Sequence, residues 1–429
     1  MIPIGEDGGK PMGLKSSSAA TAVDQGRGNL LKYLCCSGLI ALVPIAIVNC
    51  YVFLVYSSLI DQEAVLYSLH SASLGANIST RDCDLSKGKW IPEAAPPLYT
   101  NETCRYIQGH QNCLKNGRPD RGFLAWRWRP DECDLPRFDP ALFLRVMRNK
   151  RMIFFGDSIA RNHMQSLLCA ISQVEEPRNL YRDPIDKDVI WLLPSFNFTL
   201  AIFWSPFLVK HEQRSSNGST IIHIHLDTPE EIWMSRLHEF HAIVLSSGPW
   251  FFKPSVYYRG GSIVGCHHCG DESIPPLSFI DAYRMALGGV LDSIAARDGY
   301  AGTTFLRTFS AEHFENGEWW NGGTCNRTEP FRNQSAVELP WMASEMRRIQ
   351  VEEFDRAAAK NPSRSKLKLV DVSYSAYLRP DGHPGVFRSS RTLTPDGSAV
   401  QSDCLHWCLP GPIDMWNEIL LKTLLAREP

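Results

Sequence analysis

One serine and a downstream aspartate and histidine in this sequence have the residue types and spacing for acyl transfer. Ser158 ends the tripeptide Gly156-Asp157-Ser158, which directly follows an apolar run of strand type at residues 152–155. The apolar residues beyond Ser158 repeat with helical spacing: Met164, Leu167, Leu168 and Ile171. Strand, tight turn and helix in this order expose Ser158 at the carboxyl edge of a strand and at a helix N-terminus. There, free N–H groups and the helix dipole stabilise negative charge on a reacting oxygen.

The base that such a serine needs is predicted near the end of the chain, in Asp403-Cys-Leu-His406. Asp and His three residues apart can face the same way on a helical turn. The carboxylate then orients one imidazole nitrogen while the other accepts the serine proton. Gly-Asp-Ser alone is weak evidence, since a glycine turn after a strand is common. Its place between a strand and a helix, together with Asp403 and His406, predicts a catalytic triad of Ser158, His406 and Asp403.

Around these motifs, and along nearly the whole chain after residue 81, the sequence resembles the plant trichome birefringence-like family. The segments that carry the resemblance include Cys83-Asp-Leu-Ser-Lys-Gly-Lys-Trp-Ile-Pro, Cys113-Leu-Lys-Asn-Gly-Arg-Pro-Asp120, Trp126-Arg-Trp-Arg-Pro, Cys133-Asp-Leu-Pro-Arg-Phe and Arg307-Thr-Phe-Ser-x-x-His-Phe314. The family consists of Golgi polysaccharide O-acetyltransferases related to SGNH/GDSL esterases. The resemblance therefore implies an α/β fold of the SGNH/GDSL-hydrolase type, with a parallel sheet and helices on both faces.

The resemblance also implies transfer of acetyl groups, through an acetyl-serine intermediate on Ser158, to hydroxyls of a hemicellulose. Gly248-Pro-Trp250 resembles the xyloglucan and mannan branch more than the xylan branch, so the expected acceptor is xyloglucan side-chain galactose, ahead of mannan or xylan. The expected acetyl donor is acetyl-CoA or an acetylated carrier, and neither a bound cofactor nor a metal is expected. Two alternatives stay open: a cell-wall polysaccharide acetylesterase, because the same triad hydrolyses the ester when water is the acceptor, and a non-enzymatic wall-glycan binding protein.

The residues around the nucleophile match the Gly-Asp-Ser-x-x-Arg-Asn pattern of the family, which here is Gly156, Asp157, Ser158, Arg161 and Asn162. The main-chain N–H of Ser158 is the expected first donor to the oxyanion. Arg161 is either a second donor or one half of a surface ion pair. The other residues of the pattern are expected to support the oxyanion site.

A second set of candidates concerns the oxyanion site and the polysaccharide. Gly248 follows a predicted strand where related esterases place an oxyanion-hole element, and a rigid turn with buried aromatics is the alternative. Aromatic faces stack on sugar rings, and so the predicted substrate contacts are Trp250, Trp319, Trp320 and Arg127. Each of these taken singly is also compatible with a place in the core.

The sequence before residue 81 is predicted to anchor the protein in a membrane. Residues 1–33 are a predicted cytosolic tail, 34–60 a transmembrane signal anchor and 61–80 a stem. The uncharged span is long enough for a helix across about 30 Å of hydrocarbon. Arg27 and Lys32 precede it and Asp61 and Glu63 follow it, which predicts single-pass type II topology with a lumenal catalytic part. With the family resemblance, this predicts the Golgi membrane.

Charge and sequons agree with a lumenal enzyme that acts on a neutral glycan. Lys+Arg 44 and Asp+Glu 46 give a net charge of -2, which offers no electrostatic attraction to nucleic acid. Sequons for N-glycosylation occur only after the predicted span, at Asn77, Asn101, Asn197, Asn217, Asn326 and Asn333.

Ten of the 13 cysteines also lie beyond the span, as disulfides in an oxidising lumen require. Their spacing does not determine the connectivity. The family resemblance suggests the pairs Cys83–Cys133, Cys104–Cys169, Cys113–Cys408 and Cys325–Cys404. Cys266-His-His-Cys269 is compatible with zinc or with a loop disulfide. We expect the disulfide, because four ligands so close in sequence cannot easily surround one tetrahedral ion.

The part of the chain after the stem is predicted to have two regions. Residues 81–140, rich in Pro, Gly, Cys and Trp, are expected to form a minor lobe, and residues 141–429 the catalytic domain. Strands are predicted at 152–155, 190–193, 198–204, 220–226, 242–246, 303–308 and 367–372, and helices at 160–171, 279–296, 340–360 and 412–427. This alternation predicts a parallel sheet, whose carboxyl edge collects Ser158, residues 248–250, residues 310–313 and the segment 403–406.

Overall fold

The structure is a computed structural model, and it describes residues 83–216, 219–360, 366–391, 393–394 and 397–426. The predicted tail, transmembrane anchor and stem lie outside the described residues, as do the sequon asparagines Asn77 and Asn217. Within the described ranges, no helix is both long enough and apolar enough to cross a membrane.

The strands of the described chain are listed here in chain order: β1 (Gly88–Pro92), β2 (Trp126–Pro130), β3 (Arg151–Gly156), β4 (Arg178–Arg182), β5 (Val189–Leu193), β6 (Phe198–Trp204), β7 (Val209–Ser216), β8 (Ser219–Pro229), β9 (Ala242–Ser246), β10 (Ser255–Arg259), β11 (Ser262–His267), β12 (Thr303–Arg307) and β13 (Leu367–Val370). The α-helices are α1 (Pro140–Val146), α2 (Ser158–Ile171), α3 (Glu231–Met234), α4 (Phe279–Ala295), α5 (Trp341–Lys360), α6 (Ser373–Tyr377) and α7 (Asp414–Leu425).

A seven-stranded sheet with the order β13-β12-β9-β3-β6-β5-β4 forms the centre of this part of the chain. The five strands from β13 to β6 are parallel, whereas β5 is antiparallel to both β6 and β4. β3 is the middle strand of the order, so the turn that follows it, with Ser158, stands at the centre of the carboxyl edge.

Alternate residues of β3 pack into two different cores. Met152 and Phe154 belong to a core with residues of α2 and α7, whereas Ile153 and Phe155 belong to a core with residues of α4 and α5. All four side chains are fully buried. Side chains of a strand alternate between the two faces of a sheet, so helices cover both faces. The α/β class is therefore confirmed, and the continuous apolar run of β3 is explained.

The expectation of a wholly parallel sheet is wrong in two places. β5, predicted at 190–193, is antiparallel to β6 because only the short turn Pro194–Phe196 and Asn197 separate them. A parallel connection needs a crossover of about a dozen residues or more. The strand predicted at 220–226 is part of β8, which belongs to a separate four-stranded sheet of order β11-β10-β8-β7.

The segment before α1 has little regular structure and is joined to the rest by disulfides. Its two strands, β1 and β2, form an antiparallel ribbon, and Trp128 of this ribbon is fully buried in the same core as α2. The described chain contains the four disulfides that the family resemblance suggests, Cys83–Cys133, Cys104–Cys169, Cys113–Cys408 and Cys325–Cys404, and the expected loop disulfide Cys266–Cys269.

Candidate active site

The turn that carries Ser158 requires glycine at position 156. Gly156 lies between Ser246 of β9 and Trp204 of β6, with which it is paired in the sheet. A Cβ added to Gly156 would lie far inside van der Waals contact with the main-chain oxygen of Ser246. The nucleophile turn is thus closely enclosed by the two neighbouring strands, and no larger residue fits there without moving a central strand.

Asp157 caps the helix that begins at Ser158. Its Oδ1 accepts hydrogen bonds from the N–H groups of Ile159 at 2.9 Å and Ala160 at 3.4 Å, two donors of the first turn that have no partner within the helix. This cap does not use the N–H of Ser158, whose side chain is half-buried. Burial raises the pKa of Asp157, and the positive charge of Arg307 opposes this shift.

His406 and Asp403 contact each other, as their spacing indicates. His406 Nδ1 lies 2.9 Å from Asp403 Oδ2 and 3.1 Å from Oδ1, and the main-chain N–H of His406 donates to Oδ1 at 3.0 Å. Burial opposes ionisation of Asp403, but the charge of His406 and the hydrogen bonds from it outweigh burial. The pKa of Asp403 is therefore well below its ordinary value.

An ionised Asp403 determines which nitrogen of His406 is basic. The carboxylate accepts a hydrogen bond from Nδ1–H, so a neutral ring has its lone pair on Nε2. His406 Nε2 is buried, and within the described ranges it has no hydrogen-bond partner. The same observation means that no hydrogen bond joins it to Ser158. His406 thus presents a free basic nitrogen inside the site.

Asn162 attaches the segment that carries His406 to α2. Asn162 Oδ1 accepts from the N–H of Trp407 at 2.7 Å, and Nδ2 donates to the main-chain oxygen of Trp407 at 3.3 Å. Asn162 and Trp407 are both fully buried. Asn162 is one helical turn from Ser158, so this two-point contact brings His406 to the end of α2 that carries Ser158. The amide of Asn162 is committed to Trp407 in this arrangement.

Arg307 is a buried cation next to the nucleophile turn that the sequence analysis did not identify. Its guanidinium donates to Ser246 Oγ and, at 2.8 Å, to the main-chain oxygen of Thr308, and it lies 5.0 Å from the ring centre of Trp416. Burial lowers the pKa of Arg307 to about 10, and the charge of Asp157 opposes this shift. Each of these two buried charges therefore favours ionisation of the other. The sequence feature that could have identified Arg307 is its place as the first residue of a segment that carries the family resemblance.

His110 is a second site residue that the sequence analysis missed. It belongs to the segment before α1, and its ring packs edge to face against His406 with 5.4 Å between ring centres. Burial, followed by the charge of His406, lowers the pKa of His110 to about 4, so this ring is neutral near neutral pH. No local sequence signal links two residues so far apart along the chain.

Two tryptophans form a corner beside the nucleophile turn. The rings of Trp204 and Trp250 are 5.5 Å apart and almost perpendicular, and both are half-buried. The guanidinium of Arg161 lies 5.3 Å from the ring centre of Trp204 and donates to the main-chain oxygen of Lys187 at 3.4 Å. No salt bridge involves Arg161 among the residues that the structure describes. Trp250 thus lies near the turn, and Arg161 contacts the aromatic corner.

Gly248 lies at a tightly packed turn after β9. A Cβ at this position would come within 2.8 Å of Phe309 Cδ2 and 3.2 Å of Met346 Cε. The next residues form a single 3-10 turn, Pro249–Phe252, in which Phe251 is fully buried. The rigid turn with buried aromatics is therefore observed, while a part for Gly248 in the oxyanion site stays a prediction.

The other predicted substrate residues are Arg127, Trp319 and Trp320, and they are not part of the corner that Trp204 and Trp250 form. Arg127 is in β2, where it forms a salt bridge of 3.5 Å with Asp134. Trp319 and Trp320 are 55% and 66% exposed, and they pack edge to face on the loop between Glu315 and Thr324. Two large exposed aromatic side chains on one loop present a surface that is available to a ligand.

The remaining predicted sites have simple outcomes. Cys266 and Cys269 form a disulfide, so the loop-disulfide interpretation is confirmed over the zinc interpretation. The side chains of Asn197, Asn326 and Asn333 are exposed and that of Asn101 is half-buried. Their glycosylation stays a prediction.

Two family models match the chain in succession. The first, described as the PMR5 N-terminal domain, matches residues 81–134. The second, described as a GDSL/SGNH-like acyl-esterase family found in Pmr5 and Cas1p, matches residues 135–423. The second model therefore covers the main sheet and the segment that carries Asp403 and His406, and the first covers the segment that carries His110.

Among curated proteins, the chain is similar to several plant proteins along most of its length. Protein trichome birefringence-like 25 of Arabidopsis thaliana is 45% identical over 381 residues, which are 87% of this chain and 82% of the relative. Xyloglucan O-acetyltransferase 4 of Populus trichocarpa is 41% identical over 85% of this chain and 84% of the relative. Xyloglucan O-acetyltransferase 1 of Arabidopsis thaliana is 41% identical over 80% of each chain.

Proposed function

The chain belongs to the trichome birefringence-like family of PC-esterase proteins, and from this premise we propose that it is a polysaccharide O-acetyltransferase with xyloglucan as its acceptor. The support for the acceptor is the similarity to relatives named xyloglucan O-acetyltransferases. These relatives are 41% to 42% identical to this chain, and each match covers 80% of the chain or more, which is enough to include the nucleophile turn.

The observation that carries the proposal is the free, buried Nε2 of His406 on a segment that Asn162 attaches to the nucleophile helix. A neutral imidazole whose Nδ1–H is bound by a carboxylate accepts a proton at Nε2. Ser158 is the first residue of that helix, so its hydroxyl stands at the same end of the helix. These features support a general base and a nucleophile acting together.

In the first step, His406 Nε2 takes the hydroxyl proton of Ser158 as Ser158 Oγ attacks the acetyl carbonyl carbon of the donor. The carbonyl π bond opens to an oxyanion, and the N–H of Ser158 and the N-terminal dipole of α2 stabilise that charge. The intermediate collapses with departure of the donor's leaving group, which takes the proton from His406. The product is an acetyl ester on Ser158.

In the second step, His406 Nε2 takes the proton of a sugar hydroxyl as the hydroxyl oxygen attacks the acetyl-serine carbonyl. Collapse of this second intermediate breaks the bond to Ser158 Oγ and returns the proton to it. The sugar leaves as its acetyl ester. The same sequence with water as the acceptor gives acetate, so the acceptor alone separates transferase from esterase chemistry.

We assign the remaining parts on chemical grounds. Trp250 with Trp204, and Trp319 with Trp320, are the aromatic surfaces that suit sugar rings. The acetyl donor is acetyl-CoA or an acetylated carrier. The uncharged span at residues 34–60 and the sequons after it support a type II protein of the Golgi membrane with a lumenal active site.

The test uses the full chain purified in detergent. It is incubated with acetyl-CoA and, separately, with xyloglucan, glucomannan and xylan oligosaccharides, and acetyl gain on each glycan is followed by mass spectrometry. Ser158→Ala is the inactive variant. Ser172→Ala, at the other end of the same helix, is the matched control, because its hydroxyl makes only local contacts: it donates to the main-chain oxygen of Cys169 at 2.8 Å and accepts from Gln173 Nε2 at 3.2 Å.

Acetyl gain on xyloglucan that disappears in Ser158→Ala and persists in Ser172→Ala is the expected result. Gain on another glycan alone would change the assigned acceptor. Loss of acetyl from pre-acetylated glycan, without gain on any glycan, would replace the transferase by an esterase. Equal acetyl gain in Ser158→Ala and the wild type would contradict the mechanism.

A further inference from the structure

Two buried histidines form a chain of hydrogen bonds that ends on the main chain of His406. His313 Nε2 lies 2.8 Å from the main-chain oxygen of Tyr377, and His383 Nδ1 lies 2.7 Å from the main-chain oxygen of His406. The remaining two ring nitrogens, His313 Nδ1 and His383 Nε2, face each other at 2.7 Å. His383 is 3% exposed and His313 is 8% exposed, so water does not replace these contacts.

The number of protons that this chain requires follows from the chemistry of its ends. A carbonyl oxygen only accepts, so His313 Nε2 and His383 Nδ1 must each carry a proton. A neutral imidazole has a single N–H, and therefore two neutral rings would place two lone pairs face to face at 2.7 Å. One additional proton converts that repulsion into an N–H···N hydrogen bond. The geometry accordingly requires three protons on two rings, a net charge of +1.

The surroundings of the pair contain both favourable and unfavourable terms for this charge. Burial lowers the pKa of His313 to about 4 and that of His383 well below its ordinary value when each ring is considered singly. The aromatic neighbours act in the opposite direction, because a cation is stabilised by the face of an aromatic ring. His313 stacks on Tyr377 with 4.9 Å between ring centres, and His383 lies over Trp407 at 4.3 Å.

The charged and titratable groups around the pair come from every segment packed against it. Their negative members are Asp381, Asp403 and Glu315, and their positive or titratable members are Arg327, Arg118 and His406. Asp381 is itself paired with Arg379, and Asp403 with His406. Nearby carboxylates thus partly compensate one shared proton, whereas a second proton on the pair would have no acceptor facing it.

We propose that His313 and His383 share one proton and that this protonated pair is a positioning element for His406. The N–H of His383 Nδ1 fixes the carbonyl of His406, and His313 fixes His383 in turn. Loss of the shared proton leaves two facing lone pairs, so one ring must turn away from its carbonyl and the attachment of the His406 main chain is released. The proposal rests on the proposed function in one respect, namely that His406 is the base of the reaction.

The pair makes a specific contribution to pH dependence. Burial lowers the pKa of each ring taken singly, whereas the hydrogen bond between the rings exists only while the shared proton is bound. A shared proton at neutral pH requires this hydrogen bond to outweigh burial, in which case the folded chain holds the proton more firmly than free histidines, whose ordinary pKa is about 6.5. The stabilisation is therefore present at lower pH and is lost as the pH rises through the value at which the pair releases its proton. Activity is expected to decline on the same alkaline limb, by roughly tenfold per pH unit for a single proton.

Two asparagine variants test this while keeping a donor to the main-chain carbonyl of His406. In His313→Asn, an amide N–H at the position of Nδ1 donates to a neutral His383, so no extra proton is required. In His383→Asn, an amide N–H at the position of Nδ1 still donates to the carbonyl of His406. His238→Asn is the matched control, because His238 is an exposed histidine that precedes β9, away from the carboxyl edge of the sheet.

The measurements are the rate of acetyl transfer and the thermal midpoint of the full chain in detergent across the neutral and alkaline pH range. We expect an alkaline decline of both quantities in the wild type and in His238→Asn, and its absence in a folded His313→Asn or His383→Asn chain. Identical alkaline limbs in the wild type and in both histidine-pair variants would overturn the proposal. If no acetyl transfer is found at any pH, the function fails, but the thermal midpoints still decide whether the proton is shared.

Discussion

Replacing Asn162 by alanine should separate the positioning of His406 from the chemistry of the triad. The variant keeps Ser158, Asp403 and His406 but removes both hydrogen bonds between α2 and Trp407. The segment around His406 then depends on its remaining attachments. We expect a large fall in kcat with little change in KM for the acceptor, because the side chains that react are retained and only their alignment is lost.

The magnitude follows from burial. Trp407 is fully buried, so its N–H and carbonyl lose their partners without access to water. An unpaired buried main-chain group costs about 1–3 kcal/mol, so the variant should lose about 2–6 kcal/mol of unfolding free energy for the two groups. For catalysis, a displacement of about 1 Å of a positioned group costs about 100-fold in rate. We therefore expect kcat to fall about 100-fold.

The assay is acetyl transfer to the acceptor found for the wild type, together with the thermal midpoint. The matched control is Asn417→Ala, because Asn417 is buried on α7 and its amide donates to Ser166 Oγ on α2 at 2.7 Å. That variant removes a buried asparagine between helices without contacting the segment of Trp407, and it should lower the midpoint at nearly unchanged kcat. If Asn162→Ala keeps kcat within about threefold of Asn417→Ala, the positioning argument is refuted.

Three further changes have defined outcomes. Asp403→Asn should lower kcat by about four orders of magnitude, because an amide no longer selects the Nδ1–H tautomer of His406. The pKa of Asp403 is lowered, so its carboxylate contributes stability above its ordinary pKa of about 3.9 and loses this contribution only as the pH falls through the lowered value. The deficit in kcat should therefore persist across pH profiles from about 5 to 8. Gly156→Ala should cost about 3 kcal/mol or more, read as a lower thermal midpoint with lost activity, because the added Cβ overlaps the main chain of Ser246. Trp320→Ala should leave the thermal midpoint unchanged, since the side chain is 66% exposed. It should raise KM for the polysaccharide about fivefold, the equivalent of about 1 kcal/mol of binding free energy. An unchanged KM would remove this residue from the acceptor site.

The parts of the fold that the sequence predicted are those determined by local pattern. The strands at 198–204 and 242–246 have the predicted bounds, and α2 begins two residues before the predicted start because Asp157 is its cap. The sheet to which a strand belongs is not determined by local pattern, because it depends on which other strand pairs with it. β8 has the apolar alternation of a strand, but its pairing with β7 and β10 in a separate sheet leaves no mark within its own sequence.

The same distinction applies to the candidate site. Asp403 and His406 were predictable because they are three positions apart and one turn brings them together. The contact between Asn162 and Trp407 joins positions 245 residues apart, and that between His383 and the main chain of His406 joins residues with no shared periodicity. Such contacts arise from tertiary packing. A single sequence therefore predicts the candidate reacting groups, but not the tertiary contacts that align them.

These aligning contacts explain how a segment without helix or strand can hold His406, the proposed catalytic base. Residues 403–408 are fixed at both ends by disulfides, from Cys404 to Cys325 and from Cys408 to Cys113. Between them, main-chain groups are bound by the side chains of Asn162 and His383.

The attachments of this segment come from both of the regions that the two family models match. Cys113, together with the ring of His110 against His406, belongs to the part matched by the PMR5 N-terminal model. The Cys113–Cys408 disulfide closes a loop of 295 residues, for which chain-entropy arguments give a contribution of up to about 5 kcal/mol. The first region is therefore a structural part of the candidate site, because it fixes one end of the segment that carries His406 and supplies a side chain that packs against the His406 imidazole.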